Sequence, residues 1–245
     1  MFSLFRKRPP NRLRALLADY PAWAPPHLGH VLRLPDITGP VLTPEQAREN
    51  FLAYREAVPA RIAAVRPVLA ALGVDLELAY IDASAFVRQL HPALVAELRA
   101  LYRPDLARRD AWELSDRSGD AIVLCFLADL AMLTGDALIR ACPGAFWGLN
   151  LDRRDRLMFH YRRPCLLGLA DRLFPDAPPD IFFLEGEWFG YYANADRHGG
   201  LAPADFVTGG ISPVIGQALT DKLERYHAHP DIGRLRTDGW MKDAA

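Results

Sequence analysis

The chain has 245 residues, 51% of them hydrophobic and 24% charged, which is enough apolar material for a sizeable core and too much for a disordered polymer. Its formal net charge of −1 supplies no overall field to hold a polyanion, which argues against nucleic acid as a partner. Cys125, Cys142 and Cys165 stand far apart with no CxxC pair, so no zinc-knuckle or thiol-redox motif is available, and a reducing compartment, the cytoplasm, is expected.

The N-terminal MFSLFRKRPP has a basic cluster but no apolar stretch of signal-peptide length. Asn11 to Tyr20 places leucines and arginines at helical spacing and stops at Pro21. The Pro- and Gly-rich stretch from Pro21 to Pro40 reads as an extended connection with one short strand at His30 to Leu34. Thr43-Pro44-Glu45-Gln46 combines a cap residue, a first-turn proline and a capping-box partner, so a helix is predicted to run to Val58. Pro59 and Pro67 are expected to interrupt it, with a second helical piece ending at Gly73. Helices follow over Ala83 to Leu90 and Pro92 to Tyr102, then a charged loop from Arg103 to Gly119, then a long helix from Asp120 to Ala141. Its most apolar part, Ala121 to Leu133, is interrupted by Asp129 and falls short of the roughly 20 residues of a membrane span, so a buried central helix and no transmembrane segment are expected.

At Pro143-Gly144 the character changes to short aromatic and branched runs bounded by Gly, Pro, Asp or Asn, over 145–152, 156–163, 165–169 and 181–194, as strands usually are. Glu185-Gly186-Glu187 reads as a hairpin turn or a bulge inside the last run. A final helix is expected from Ser212 or Pro213 to Tyr226. Helices followed by strands predict an α+β protein, a single domain over 1–245, with a mostly helical layer (1–142) on a mainly antiparallel sheet with a C-terminal helix (143–245).

The long helix ends in Gly135-Asp136-Ala137-Leu138-Ile139-Arg140, followed by Pro143-Gly144-Ala145-Phe146-Trp147. This resembles a pattern in uncharacterised bacterial domains, some of them similar to immunity proteins of toxin systems, although those usually carry Glu where Asp136 stands. The resemblance covers Ala121 to Leu169, about a fifth of the chain. It implies a non-enzymatic binding domain in which Gly135, Asp136, Arg140, Gly144 and Trp147 are architectural, and it supplies no catalytic residues.

Candidate chemistry is spread thinly. His27 and His30 form HxxH and His227 and His229 form HxH, but neither pair has the further ligands that zinc requires, so no metal site and no cofactor are expected. Glu185 and Glu187 could share a strand face and split their pKa values. Asp129 inside an apolar helix calls for a buried partner, either Arg140 or an arginine between Arg153 and Arg163. No GxSxG elbow, SxxK or phosphate-binding loop is present.

Two surfaces remain. Read as a strand, the run Trp188 to Asn194 would bury one face and expose the other, offering Trp188, Tyr191 and Tyr192 to a partner, with Asn194, Arg197 and His198 as a polar rim. Arg153, Arg154, Arg156, Arg162 and Arg163 form a second, basic patch around a predicted hairpin, with Asp152 and Asp155 interleaved. The leading expectation is a non-enzymatic bacterial domain that binds another protein, as an immunity or accessory factor. The alternatives are a small-molecule binder or enzyme with a pocket between the long helix and the sheet, using Glu185, Glu187, His198 and Arg140, or an RNA-associated protein using the arginine hairpin.

Overall fold

Capping chemistry decides where helices begin in the N-terminal half. The computed structural model describes residues 11–31, 39–142, 144–151, 156, 160–171, 180–195, 226–228 and 240–242. Helix α1 (Arg12–Leu17) starts where the Asn11 side chain accepts the Arg14 N–H at 2.7 Å. Helix α2 (Pro44–Ala71) starts at the expected capping box. There Thr43 Oγ1 accepts the Gln46 N–H at 3.2 Å and Gln46 Oε1 accepts the Thr43 N–H at 2.9 Å.

Pro59 and Pro67 do not interrupt α2, which runs through both. Each proline removes a donor and crowds the preceding turn, at a cost of about 3 kcal/mol in an unsupported helix. Both are exposed, so water can take over the freed carbonyls, while Phe51, Tyr54, Val58, Ile62, Val65 and Leu69 bury the opposite stripe. The helix ends where predicted: Gly73, at φ +82°, donates to Ala70 O, and Val74 donates to Leu69 O at 2.9 Å, a Schellman cap.

Helix α3 (Leu78–Ile81) is one turn, and α4 (Ala83–Leu101) begins where Asp82 accepts the Ala85 N–H. The two helices expected around Pro92 are one, because Pro92 also lies on the solvent side. The stretch read as a charged loop contains α5 (Arg109–Leu114). After one 3-10 turn, α6 (Ile122–Ala141) forms the centre of the core, with every residue from Val123 to Leu138 buried except Asp136. Among the described residues only Gly119–Ala141 is long and apolar enough to cross a bilayer, and 83% of its most apolar window is buried within the protein.

The C-terminal half supplies β1 (Phe146–Asn150), β2 (Pro164–Asp171), β3 (Asp180–Phe182), β4 (Tyr226–Ala228) and β5 (Trp240–Lys242). All their pairings are antiparallel, in the order β3-β2-β1-β5, with β4 on the far end of β2. The protein is therefore α+β. Of the strand expected at His30 to Leu34, the described part forms a single bridge, His30 to Val41. The expected final helix falls outside the described residues, save Tyr226, which opens β4. The last expected strand is the main correction: only β3 is strand, and the remainder is helix α7 (Leu184–Ala193). Leu184, Trp188, Tyr191 and Tyr192 are buried at a spacing of four, three and one, a helical stripe that the β-preference of aromatic residues masks.

Asp129 is fully buried and its partner is Arg61 of α2, not Arg140 or an arginine after Arg153. Arg140 sits eleven residues along the same helix, roughly 16 Å away at 1.5 Å per residue; it pairs instead with Asp136 at 3.0 Å and covers the Tyr80 ring. Arg61 Nε and Nη2 grip the two Asp129 oxygens at 2.8 and 2.7 Å, the Tyr20 hydroxyl donates to Asp129 at 2.6 Å, and Arg61 Nη2 also reaches Pro21 O. Burial pushes the neighbouring Cys125 thiol up to about 12, with the Asp129 charge adding to it. Breaking this pair from one side leaves an unmatched buried charge. Asp129→Leu and Arg61→Leu are each expected to cost about 3–5 kcal/mol in urea unfolding. The double variant should cost much less than their sum, and additive losses would show that the two charges are not coupled.

Gly135 and Trp147 meet directly: a Cβ at Gly135 would lie 2.0 Å from the Trp147 ring, so glycine is what lets β1 close on α6. Gly144, at φ +97°, turns the chain between them. Gly135→Ala is expected to lose about 2 kcal/mol and lower Tm by roughly 4–8 °C. Adding Trp147→Leu should recover part of that loss if the indole is the obstruction.

Candidate functional site

Five stretches far apart in sequence converge beside the core: the 21–31 connection, the middle of α2, α5 with the turn after it, the 160–164 turn, and the start of α7. The Arg61 grip on Pro21 O and a contact of the Trp23 N–H with Cys125 Sγ (3.2 Å) anchor the connection. Asn50 clamps it further, accepting the His27 N–H and donating to His27 O, both at 2.9 Å.

Helix α5 brings three chemically active side chains. Glu113, buried, accepts Arg109 Nε at 2.9 Å and Arg163 Nη2 on one oxygen, and its other oxygen meets His30 Nδ1 at 2.5 Å. Trp112 stacks on Phe189 with centroids 5.2 Å apart, and the Arg163 guanidinium lies 4.2 Å from its ring centre. The Trp112 Nε1–H donates to Glu185 Oε1 at 2.7 Å, and Arg117 Nη2 donates to the same oxygen.

These groups surround a cavity of about 70 Å³. Among the described residues, three guanidiniums line it (Arg117, Arg162 and Arg163) and a fourth, Arg109, reaches Glu113 from outside the lining, against two carboxylates (Glu113 and Glu185), aside from the surface pair of His27 with Glu49. The excess is positive. Burial, and next the Arg109 cation, push the Arg163 guanidinium down to about 9, with Glu185 pulling the other way. Most of that depression is the cost of burial, and the guanidinium stays charged at neutral pH. Burial, and then the Glu185 charge, push the Tyr54 phenol on the cavity wall well above its ordinary value, so it stays a donor.

Donors remain over. Among the described residues, the Nε and Nη1 of buried Arg117 have no hydrogen-bond partner, as is true of Arg109 Nη2 and Arg162 Nε. Buried donors are nearly always satisfied in folded proteins, so such a group marks a site that completes itself with something else. Arg117 and Arg162 are also the two non-glycine residues at positive φ among the described residues, at +58° and +56°. Each such conformation costs about 1–3 kcal/mol, and both are used to turn an arginine towards this cavity.

The expected binding surfaces look different in this light. Trp188 and Tyr192 are core residues: Trp188 Nε1 donates to Thr134 Oγ1, and the Tyr192 hydroxyl donates to Leu101 O and accepts the Arg103 N–H. Tyr191 is buried as well, and Asn194 closes the end of α7 by donating to Gly190 O at 2.7 Å. Glu185 and Glu187 lie in the first turn of α7, where negative charge suits the helix dipole, and not in a hairpin turn. Glu185 joins the cavity, whereas Glu187 does not line it. Of the arginine patch, Arg163 is buried on Glu113 and Arg162 reaches Leu42 O, so neither is offered on a basic surface. Arg153, Arg154, Arg197 and His198 lie outside the described residues. His27 and His30 separate, one to the surface beside Glu49 and the other to buried Glu113.

Sequence reasoning missed Glu113, Arg117, Trp112, Asn50 and Tyr54. One signal was available: Trp112 in a charged run, with Arg109 and Glu113 four apart, is the mark of a short helix holding one aromatic face inward. A second, larger cavity of about 490 Å³ lies beside Leu17, Tyr20 and Val123. Its charged residues are Arg14, Arg103 and Asp120, and Arg103 is already paired with Asp105 and Asp120.

Glu113→Gln removes the charge shared by two guanidiniums. It should cost about 3 kcal/mol and lower Tm by roughly 6–12 °C in calorimetry; an unchanged Tm would mean that the cluster is solvated.

No protein-family model matches the chain, and no curated protein and no solved structure matches it, so the cavity is read on its own chemistry.

Proposed function

We propose that the protein is a small-molecule-binding protein whose ligand is a small anion held in the cavity beside Arg117. The observation that carries this reading is the buried Arg117 guanidinium, lining the cavity with two nitrogens free of protein acceptors in a cluster with more guanidiniums than carboxylates. An anion there would supply the missing acceptors and relieve repulsion among the arginines. Glu113 and Glu185 are both engaged by guanidinium donors, which favours binding over proton transfer as their role. The rings that suggested a protein partner are internal, so the cavity takes their place as the best-supported site. Three free, buried thiols support action in a reducing compartment such as the cytoplasm.

The test is calorimetry in a low-salt buffer with a panel of small anions: phosphate, sulfate, nitrate, formate and acetate. At a concentration one hundred times Kd, a bound anion stabilises by about 2.7 kcal/mol, which raises Tm by roughly 5–10 °C. Arg117→Gln should abolish the rise. Anions that shift the wild type no more than the variant would remove the basis of the proposal.

A further inference from the structure

Resting on the small-anion reading, we infer that the ligand is a short-chain monocarboxylate, with its carboxylate at Arg117 and its hydrocarbon body against the outer walls. Three features of the cavity lead there. The first is the mixed lining: Trp23, Pro25, Leu28, Leu42 and Phe183 are apolar, and Arg117, Arg162 and Arg163 bring charged donors. A tetrahedral inorganic oxyanion carries oxygen in every direction and gains nothing from the apolar lining, where an oxygen that meets no donor is costly. A carboxylate on a short alkyl stem puts oxygens on the arginine side and CH groups on the rings and aliphatic chains.

The second feature is charge. The two most buried guanidiniums, Arg117 and Arg163, stand with the two carboxylates Glu113 and Glu185. The surplus sits on Arg109 and Arg162, which are partly solvated. A monoanion offsets part of that surplus and loses less hydration on the way in than a dianion would. The site's built-in anions are themselves carboxylates: Glu185 takes an indole N–H and a guanidinium, and Glu113 takes two guanidiniums and an imidazole. The donors left over on Arg117 are of the same kind.

The third feature is size. A cavity of roughly 150 Å³ holds benzene, with its six heavy atoms, so about 70 Å³ encloses about three, the carboxylate group itself, and leaves the stem of a short acid to lie along the apolar lining.

Isothermal titration on the full chain tests this, using formate, acetate, propionate, butyrate and hexanoate beside phosphate and sulfate. The expected result is a gain of roughly fourfold in affinity per added methylene up to propionate or butyrate, then a fall at hexanoate. Leu28→Gln, on the half-buried 21–31 connection, should flatten the series by making one wall polar, with circular dichroism confirming an unchanged fold. Tightest binding by phosphate or sulfate would overturn the monocarboxylate assignment and leave the anion site standing, as would a series with no dependence on chain length. Binding of none of these probes would overturn both.

Discussion

The Arg61–Asp129 pair is the interaction on which the rest depends. It lies between the two longest helices, α2 and α6, and taking both charges out of water costs several kcal/mol per ion unless each is fully met. They are met, by a two-point grip, a tyrosine hydroxyl and a carbonyl, and two of those contacts come from Tyr20 and Pro21. The pair therefore does more than join two helices: it fixes the point at which the N-terminal connection leaves α1 and crosses the core. Trp23, Pro25, His27, Leu28 and Gly29 follow within a few residues and become one wall of the cavity. The geometry of the outer site is thus set by a charge pair in the centre of the protein.

The cavity repeats the same physics with a different balance. Around Asp129 the acceptors and donors are matched. Around Arg117 the donors outnumber the acceptors, and two arginine backbones are held in a left-handed conformation to keep them there. A fold that only needed stability would gain from replacing such a group with a hydrocarbon of similar shape. Aromatic packing keeps the arrangement rigid: Trp112 is enclosed by Phe183, Phe189 and the Arg163 guanidinium, and its N–H holds Glu185 in place. Strain, surplus charge and unmet donors occur at the same few residues, which is the pattern expected of a site organised around a ligand.

Local rules carried much of the fold. The capping box at Thr43, the glycine stop at Gly73, the buried helix around Asp129 and the strands at β1 and β2 all follow from side-chain chemistry within a few residues of where it acts. Local rules failed where solvent and neighbours decide. Pro59, Pro67 and Pro92 look like breaks, yet each faces water and the buried stripe opposite holds its helix together. The Trp188 segment looks like a strand because aromatic residues favour sheets, but α6 presents a long surface that a helix can cover, and Trp188 and Tyr192 both find hydrogen-bond partners in that arrangement. Of the site, Glu185, Arg162, Arg163, His27 and His30 were visible as candidates: the arginines were assigned to a basic surface, Glu185 to a carboxylate pair or a pocket, and the histidines to a pair with too few further ligands for zinc.

By itself the sequence determined that a helical half would precede a strand-rich half, that α6 would be internal, and that its aspartate would need a buried cation. Those are consequences of hydrophobic period, capping residues and the cost of an unpaired charge, all readable within a window of about one helix. Which cation answers Asp129, and which arginines gather with Glu113 and Glu185, only the tertiary structure decided. The Arg61–Asp129 and Arg117–Glu185 contacts each join residues 68 positions apart and Arg163–Glu113 residues 50 apart, and the sequence contains many arginines that are chemically equivalent until packing buries some of them and leaves the others in water.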